Sequence, residues 1–297
     1  MQLTDTPLAG IVARFARDRI AFSAFVVLGV VILAAAAAPF ISPQDPYDLA
    51  QLDILDGKLP PGASSTDGRH YWLGTDEQGR DMLSAILYGL RISLTVGVLA
   101  TVAAVAIGMT FGLIAGYAGG WVEGLIMRLV DLQLSFPAIL IALVLLAITG
   151  PGVDKIVIAL IAVQWAYYAR TARGVALVEK RKEYVDAARC MAFGPARIVF
   201  RHILPNCLPP LIVLATVQVA HAIALEATLS FLGLGMPITS PSLGLLIANG
   251  FVQLLSGKYW ISFFPGIALL ITIVAINLVG DQLRDILNPR LGSNYSA

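Results

Sequence analysis

The sequence predicts an all-α integral membrane protein with six spanning helices. Three observations carry this prediction. First, 58% of the 297 residues are hydrophobic and only 13% are charged, with a mean hydropathy of +0.80. Soluble domains carry roughly 25% charged residues, so about half the usual charge is missing. A water-soluble fold leaves too much surface exposed to hide so apolar a chain. Second, apolar segments of spanning length fall at 20–41, 92–117, 125–149, 153–172, 206–234 and 261–283. About 20 residues of helix cross the ~30 Å hydrocarbon core. A lone strand there would leave its backbone N–H and C=O groups unpaired, so each segment must be helical. Third, the basic residues are distributed unevenly. With the N-terminus inside, the cytoplasmic side receives fourteen of the lysines and arginines. The other side receives six: Lys58, Arg69, Arg80, Arg91, Lys155 and Lys258. The positive-inside rule then places both termini and the 173–205 loop in the cytoplasm.

The elements follow in order. Arg14, Arg17 and Arg19 precede the first apolar run. A cleavable signal peptide is the alternative here, but signal cores usually hold ~7–15 apolar residues, and this run is of spanning length. An uncleaved first helix is therefore expected over 20–41, after a cytoplasmic segment 1–19. Residues 42–90 form an extracytoplasmic segment with turn signals at Asp56-Gly57, Pro60-Pro61-Gly62 and Asp67-Gly68. It is expected to tighten into a short helix near Met82 to Tyr88. A five-helix core fills 91–285, and 286–297 is a cytoplasmic tail. Segment 125–149 is interrupted by Arg128, Asp131 and Pro137, and reads as a helix whose charged first turns lie at the interface.

Composition excludes several functions. Net charge is +1, which supplies no field for nucleic acid. Cys190 and Cys207 make no disulfide framework, and with His70, His202 and His221 they form no metal-ligand pattern. No GxxxxGK[ST] phosphate loop, HExxH or G-x-S-x-G motif occurs, so no catalytic residue and no bound cofactor is expected. Two other readings remain: a self-contained channel or carrier, and an intramembrane hydrolase. The first would want an internal repeat or paired broken helices. The second would need His221 and Ser230 to meet, yet they lie nine residues apart on one helix.

The 173–205 loop is unusually long, and loops beyond ~12–15 residues are usually functional or disordered. Leu177, Tyr184, Val185, Ala188 and Met191 recur at spacings suited to an amphipathic helix, until Pro195 and Pro205 limit it. Asp186-Ala187-Ala188, with Ala192 a turn later, offers small side chains that let a partner approach the backbone. Tyr184, Met191 and Phe193 supply apolar anchors. The basic residues Lys180, Arg181, Lys182, Arg189, Arg197 and Arg201 read equally well as partner contacts or as plain topology determinants and contacts to anionic lipid.

The string Glu183-Tyr-Val-Asp-Ala-Ala-Arg-Cys-Met-Ala-Phe-Gly194, followed by Arg201-His-Ile-Leu-Pro-Asn206, resembles the EAA loop of ABC importer permeases. Asp186 takes the glutamate position, Ala187 and Ala188 the two alanines, and Leu204-Pro205 the closing pair. Ala192 stands where glycine is usual, and His202 where isoleucine is. Five further strings look like landmarks of the peptide-importer branch. These are Leu73–Asp81 with Tyr88–Leu94, counted as one, then Gly116–Trp121, Leu134–Pro137, Leu229–Gly235 and Asn277–Asp285.

The resemblance implies the type I importer permease (MetI-like) fold and a place in the bacterial inner membrane. It implies that the loop is a coupling helix docking on an ATPase, made of Glu183, Tyr184, Asp186, Ala187, Ala188, Met191, Ala192, Phe193 and Gly194. The implied partners are a second, non-identical permease, two ATPase subunits that bind the ATP and Mg, an extracytoplasmic solute-binding protein, and membrane lipid. The implied cargo is a peptide or a similar small solute. Ionisable groups within a span raise a functional hypothesis. Glu226 and His221 are candidates for the translocation path or for contact with the partner permease. Alternatively, Glu226 caps the broken turn at Gly233–Pro237. Asp281 and Arg284 are expected to form an ion pair. Arg80 and Asp81 are either structural or a contact for the external binding protein.

Overall fold

The computed structural model describes residue 15 and residues 18–65, 68–237, 239–240 and 242–287. Arg14, Arg17 and Arg290 of the charge count, Asp67 of the turn signals and residues 288–297 lie outside the described residues.

Helix α1 (Arg19–Ile41) starts where the Asp18 carboxylate accepts from the amides of Ile20 and Ala21, satisfying two of the orphan N–H groups of a helix start. It delivers the chain to a folded cap, residues 42–81. The cap contains short 3₁₀ turns at Leu49–Gln51 and Ile54–Asp56 and an antiparallel hairpin, β1 (Ala63–Ser64) with β2 (His70–Tyr71). Its last turn explains the string Leu73–Asp81. The Asp76 carboxylate accepts from the amides of Gln78 (2.8 Å) and Arg80 (3.0 Å). Gly79 has φ +75°, and a side chain there would overlap the Asp53 carbonyl. Arg80 is only 1% exposed and lies 3.9 Å from Asp76. Burial pushes the Asp76 carboxyl above its ordinary range. Asp81 then caps the next helix by accepting from the Ser84 amide (2.8 Å) and hydroxyl (2.6 Å). Both Arg80 and Asp81 are therefore internal parts of the cap.

Helix α2 (Met82–Ala118) runs unbroken for 37 residues. The short helix expected near Met82–Tyr88 and the span expected at 92–117 are one element, so the boundary placed at residue 90 falls inside it. Arginine is a good helix former and no proline interrupts the stretch, so the helix continues through Arg91. A turn at Gly119 and Gly120, both with positive φ, leads to α3 (Gly120–Ser135). Helix α4 (Ala138–Thr149) follows at an angle of 89°. The single helix expected over 125–149 is thus two. Pro137 holds the preceding Phe136 in an extended conformation and prevents continuation.

Helix α5 (Val153–Glu179) absorbs the first seven residues assigned to the long loop. It packs on α2 in the most extensive helix pair of the fold. Gly108, Gly112 and Gly116 of α2 recur at every fourth position and face Ala169, Ala172 and Ala176 of α5. A methyl group on Gly108 would overlap the Trp165 carbonyl, one on Gly112 the Ala169 carbonyl, and one on Gly116 would lie 2.8 Å from the Ala176 Cβ. In lipid, helices gain little from the hydrophobic effect, so such close backbone contact is what holds them together. Two ion pairs, Arg170–Asp131 and Arg173–Glu123, fasten α3 to the same helix.

After α6 (Glu183–Cys190) and α7 (Pro195–Ile198), a π turn (Val199–Ile203) runs into α8 (Leu204–Phe231). Helix α9 (Leu243–Gln253) has no counterpart among the expected elements, because eleven residues cannot span and the flanking prolines read as loop. Its start is marked by Ser242, whose hydroxyl accepts from the Leu245 amide (3.3 Å). Helix α10 (Trp260–Leu287) closes the bundle. Among the described residues no ion pair joins its Asp281 and Arg284, contrary to expectation; both side chains are exposed.

By length and composition, α1, α2, the stretch Pro195–Phe231 and α10 can each cross a bilayer; the α3–α4 pair, bent by 89°, has the form of either a broken span, which makes a fifth, or a re-entrant loop. Helix α5 is long enough at 27 residues, but Asp154, Lys155, Gln164 and Arg170 within the predicted segment 153–172, and Arg173 and Glu179 beyond it, make it polar for a spanning helix.

The glycine contact gives a direct test. Gly112→Ala is expected to cost about 1–3 kcal/mol by overpacking, read as a lower midpoint of thermal unfolding in detergent. Gly124→Ala, with nothing within 4 Å of the new methyl, is expected to leave it unchanged.

Candidate functional site

The loop end of the bundle is built around α6, eight residues with two faces. Val185 (0% exposed) and Ala188 (3%) enter an apolar cluster with Ile198, Ile203, Cys207 and Leu211. Glu183, Tyr184, Asp186, Ala187 and Arg189 are exposed, as are Met191 (67%), Ala192 and Gly194 after the helix. The stripe expected from Leu177 to Met191 is therefore split. Leu177 belongs to α5, and the chain turns at Lys180–Lys182 before α6 starts. Ala188 is small because it packs inward, whereas Ala187 is the small side chain offered outward.

The end of α6 explains the position where the family pattern has glycine. Ala192 has φ +56°, its amide donates to the Arg189 carbonyl (2.8 Å), and the Phe193 amide donates to the Ala188 carbonyl (3.2 Å). This is the Schellman ending of a helix, which places its C′ residue in the left-handed region. Glycine adopts that region freely, while an alanine does so at a cost of about 1–2 kcal/mol.

A polar latch fixes α6 against its flanking helices. The Tyr184 hydroxyl donates to Glu179 Oε2 at the end of α5 (2.6 Å) and lies 3.3 Å from the His202 carbonyl in the π turn. At the start of α8, Asn206 Nδ2 donates to both the Tyr184 hydroxyl (3.2 Å) and the His202 carbonyl (2.8 Å). Lys182 Nζ reaches the other Glu179 oxygen at 2.7 Å. Burial, and then the bond to Glu179, push the Tyr184 phenol above its ordinary range. The half-buried Phe193 ring stacks on His202 at 6.1 Å and carries the Arg197 guanidinium 4.0 Å above it. Asp186 spends its charge on Arg189, three residues on (2.8 Å). No metal-binding cluster occurs among the described residues, and neither Cys190 nor Cys207 is bonded.

At the opposite end of α8, Glu226 is 0% exposed. Its Oε2 accepts from Ser93 of α2 (2.9 Å) and its Oε1 from Ser230 (2.8 Å), beside the Ser242 hydroxyl that caps α9. The carboxyl thus joins α2, α8 and the Ser242 start of α9 inside this chain; it presents no atom to a partner surface. His221, by contrast, is exposed. It is not brought near Glu226 or Ser230 by any hydrogen bond among the described residues. Sequence reasoning identified neither Ser93 nor Glu179 as partners: Ser93 lies 133 residues from Glu226, and Glu179, though only five residues from Tyr184, is separated from it by the turn that ends α5.

Residues 108–293 match the family described as binding-protein-dependent transport system inner membrane component. Residues 6–61 match the N-terminal TM domain of oligopeptide transport permease C. The chain belongs to this family of ABC importer permeases. The permease is 43% identical over 286 residues to the dipeptide transport system permease protein DppC of Escherichia coli (strain K12), covering 96% of this chain and 94% of that one. It is 36% identical to the di/tripeptide transport system permease protein DppC of Pseudomonas aeruginosa (strain UCBPP-PA14), covering 96% and 93%. Among solved structures it resembles the MetNI methionine ABC transporter in inward-facing conformations. The TM-score is 0.58 over 70% of this permease and 98% of that chain, and at 18% identity the likeness is one of fold. The permease is thus a transporter subunit of the inner membrane and not an enzyme.

Two substitutions test the loop geometry. Ala192→Gly is expected to relieve about 1 kcal/mol of backbone strain and to slow amide hydrogen exchange across residues 184–193. Tyr184→Phe removes the shared hydroxyl and leaves buried Glu179 short of a donor, at about 1–3 kcal/mol. It is expected to speed exchange over the same residues.

Proposed function

We propose that the permease forms one half of an ATP-driven translocation pathway for short peptides and takes its drive through α6. The observation that carries this reading is the division of α6 into an anchored face and a free face. Val185, Ala188 and Tyr184 tie it to α5 and α8, while Ala187, Met191 and the Asp186–Arg189 pair stand outside. A small residue flanked by an exposed methionine suits insertion into a groove of another protein. Exposed helices of eight residues are not stable alone, and the latch supplies the support that keeps this one folded.

The positive-inside rule supports a cytoplasmic loop end and an extracytoplasmic cap. Three kinds of partner then follow from the family's mode of action. Two ATPase subunits, which hold ATP and Mg, lie against α6. A second, non-identical permease completes the path, and a solute-binding protein delivers cargo to the cap side. The names of the relatives, dipeptide and di/tripeptide permeases, support peptide as the cargo. Glu226 acts in this scheme by holding α2, α8 and the start of α9 together, rather than by touching cargo. His221, exposed on α8, remains the candidate for the partner permease.

Force enters at Ala187, so a bulky side chain there blocks docking without disturbing the core. Ala187→Trp is expected to lower uptake at least tenfold in cells that express the whole importer, with unchanged permease in the membrane. Uptake at the wild-type rate would remove α6 from the coupling path. The cargo is tested separately, by mass spectrometry of the ligand that co-purifies with the binding protein; a metal ion or amino acid there would replace the peptide.

A further inference from the structure

An apolar groove opens at the loop end, between α2 and the segment 195–204. Its volume is about 380 Å³, and Met109, Leu113, Ile114 and Tyr117 of α2 face Val199 and Phe200 across it. Of the two hydroxyl-bearing side chains on its walls, Thr110 and Tyr117, the first already donates to the Ala106 carbonyl (2.7 Å), and every other lining side chain is apolar. A lining so largely apolar suits an apolar occupant. Phe200 and Ile114 are strongly exposed, so the chain itself does not fill the space. Both walls belong to stretches that are long and apolar enough to cross a bilayer, which sets the groove at the membrane boundary.

Its rim is cationic. Lys180 Nζ lies 5.5 Å over the Tyr117 ring and donates to the Tyr117 carbonyl (2.5 Å). Arg197 and Arg201 follow directly on the lining residues Ala196 and Phe200 and are exposed. Neither arginine has a carboxylate partner among the described residues. Of the acids in the loop, Glu179 is engaged by Lys182 and Tyr184 and Asp186 by Arg189, while Glu183 forms no ion pair with either arginine among the described residues.

We propose that this groove binds one acyl chain of an anionic phospholipid, with the headgroup phosphate held by Arg197, Arg201 and Lys180. Basic pockets between spanning helices on the cytoplasmic side recognise anionic headgroups by this combination of field and groove. The cytoplasmic placement of the groove rests on the orientation given under Proposed function. The lipid would brace the segment whose His202 carbonyl takes part in the Tyr184 latch, so turnover of the importer would depend on anionic lipid.

The test uses the complete importer in detergent, with native mass spectrometry counting retained phosphatidylglycerol against phosphatidylcholine. One phosphatidylglycerol per copy of this permease is expected, with phosphatidylcholine lost. Arg197→Gln with Arg201→Gln should weaken retention about thirtyfold, at roughly fivefold per arginine near an anionic surface. Ile114→Trp, which fills the groove from its exposed side, should abolish retention while the complex still assembles. Ala196→Trp serves the same purpose from the other wall if the first variant assembles poorly. Equal retention of both lipids, or retention unaffected by the groove-filling and arginine variants, overturns the proposal. So does protection of a Phe200→Cys thiol by a partner subunit in lipid-free complex, since a protein would then occupy the groove. Retention is read without transport. Its failure therefore leaves the importer reading standing, and failure of the Ala187→Trp test leaves the lipid result standing.

Discussion

The close approach of α2 and α5 at Gly108, Gly112 and Gly116 is the contact on which the rest depends. A bilayer offers two helices no hydrophobic reason to associate, so backbones must come near enough for dispersion to matter. Glycine on one helix facing alanine on the other makes this possible. The pair then sets where α5 ends. That end carries Glu179, and Glu179 is the acceptor around which Tyr184, Lys182 and, through Tyr184, Asn206 are gathered. A shift of α5 along α2 would move Glu179 and leave α6 without its support.

The two ends of α8 are held in chemically different ways. At the loop end, Asn206 joins an accessible network of hydroxyl, amide and carbonyl groups. About 30 Å away, at 1.5 Å per residue, Glu226 is sealed from solvent and held by serine hydroxyls. An exposed network can be remade when a partner moves. A buried carboxyl whose two oxygens each accept a hydrogen bond resists separation, because each partner left unmatched costs about 1–3 kcal/mol. The end that meets the ATPase in our proposal is thus the adaptable one, and the end that holds Glu226 is the fixed one.

Much of this was legible from the chain alone. Apolar runs located the long helices, since spanning length and hydropathy are properties of local sequence. The motif strings located the loop, and the family match agrees with the resemblance they carried. What escaped was set by contacts at long range. The bend at Phe136–Pro137 was hidden by the apolar run after it, and α9 by the prolines before it. Ala187 and Ala188 look equivalent in sequence, yet one faces outward and the other fills the core; only the fold around Ile198 and Ile203 distinguishes them. Arg170 and Arg173 were counted as topology signals, but each also has a carboxylate on α3. The family's glycine at position 192 has its reason in the Schellman ending, which a spacing rule does not reveal.

The central claim is that the free face of α6 is the surface on which the ATPase acts. Site-directed cross-linking tests it most directly. An Ala187→Cys permease, assembled with ATPase subunits bearing single cysteines along their exposed grooves, should form a disulfide-linked product in high yield. An Ala188→Cys permease should not, because that side chain lies inside the loop core. Equal cross-linking from both positions, or none from Ala187→Cys in a complex that transports normally, would contradict the account.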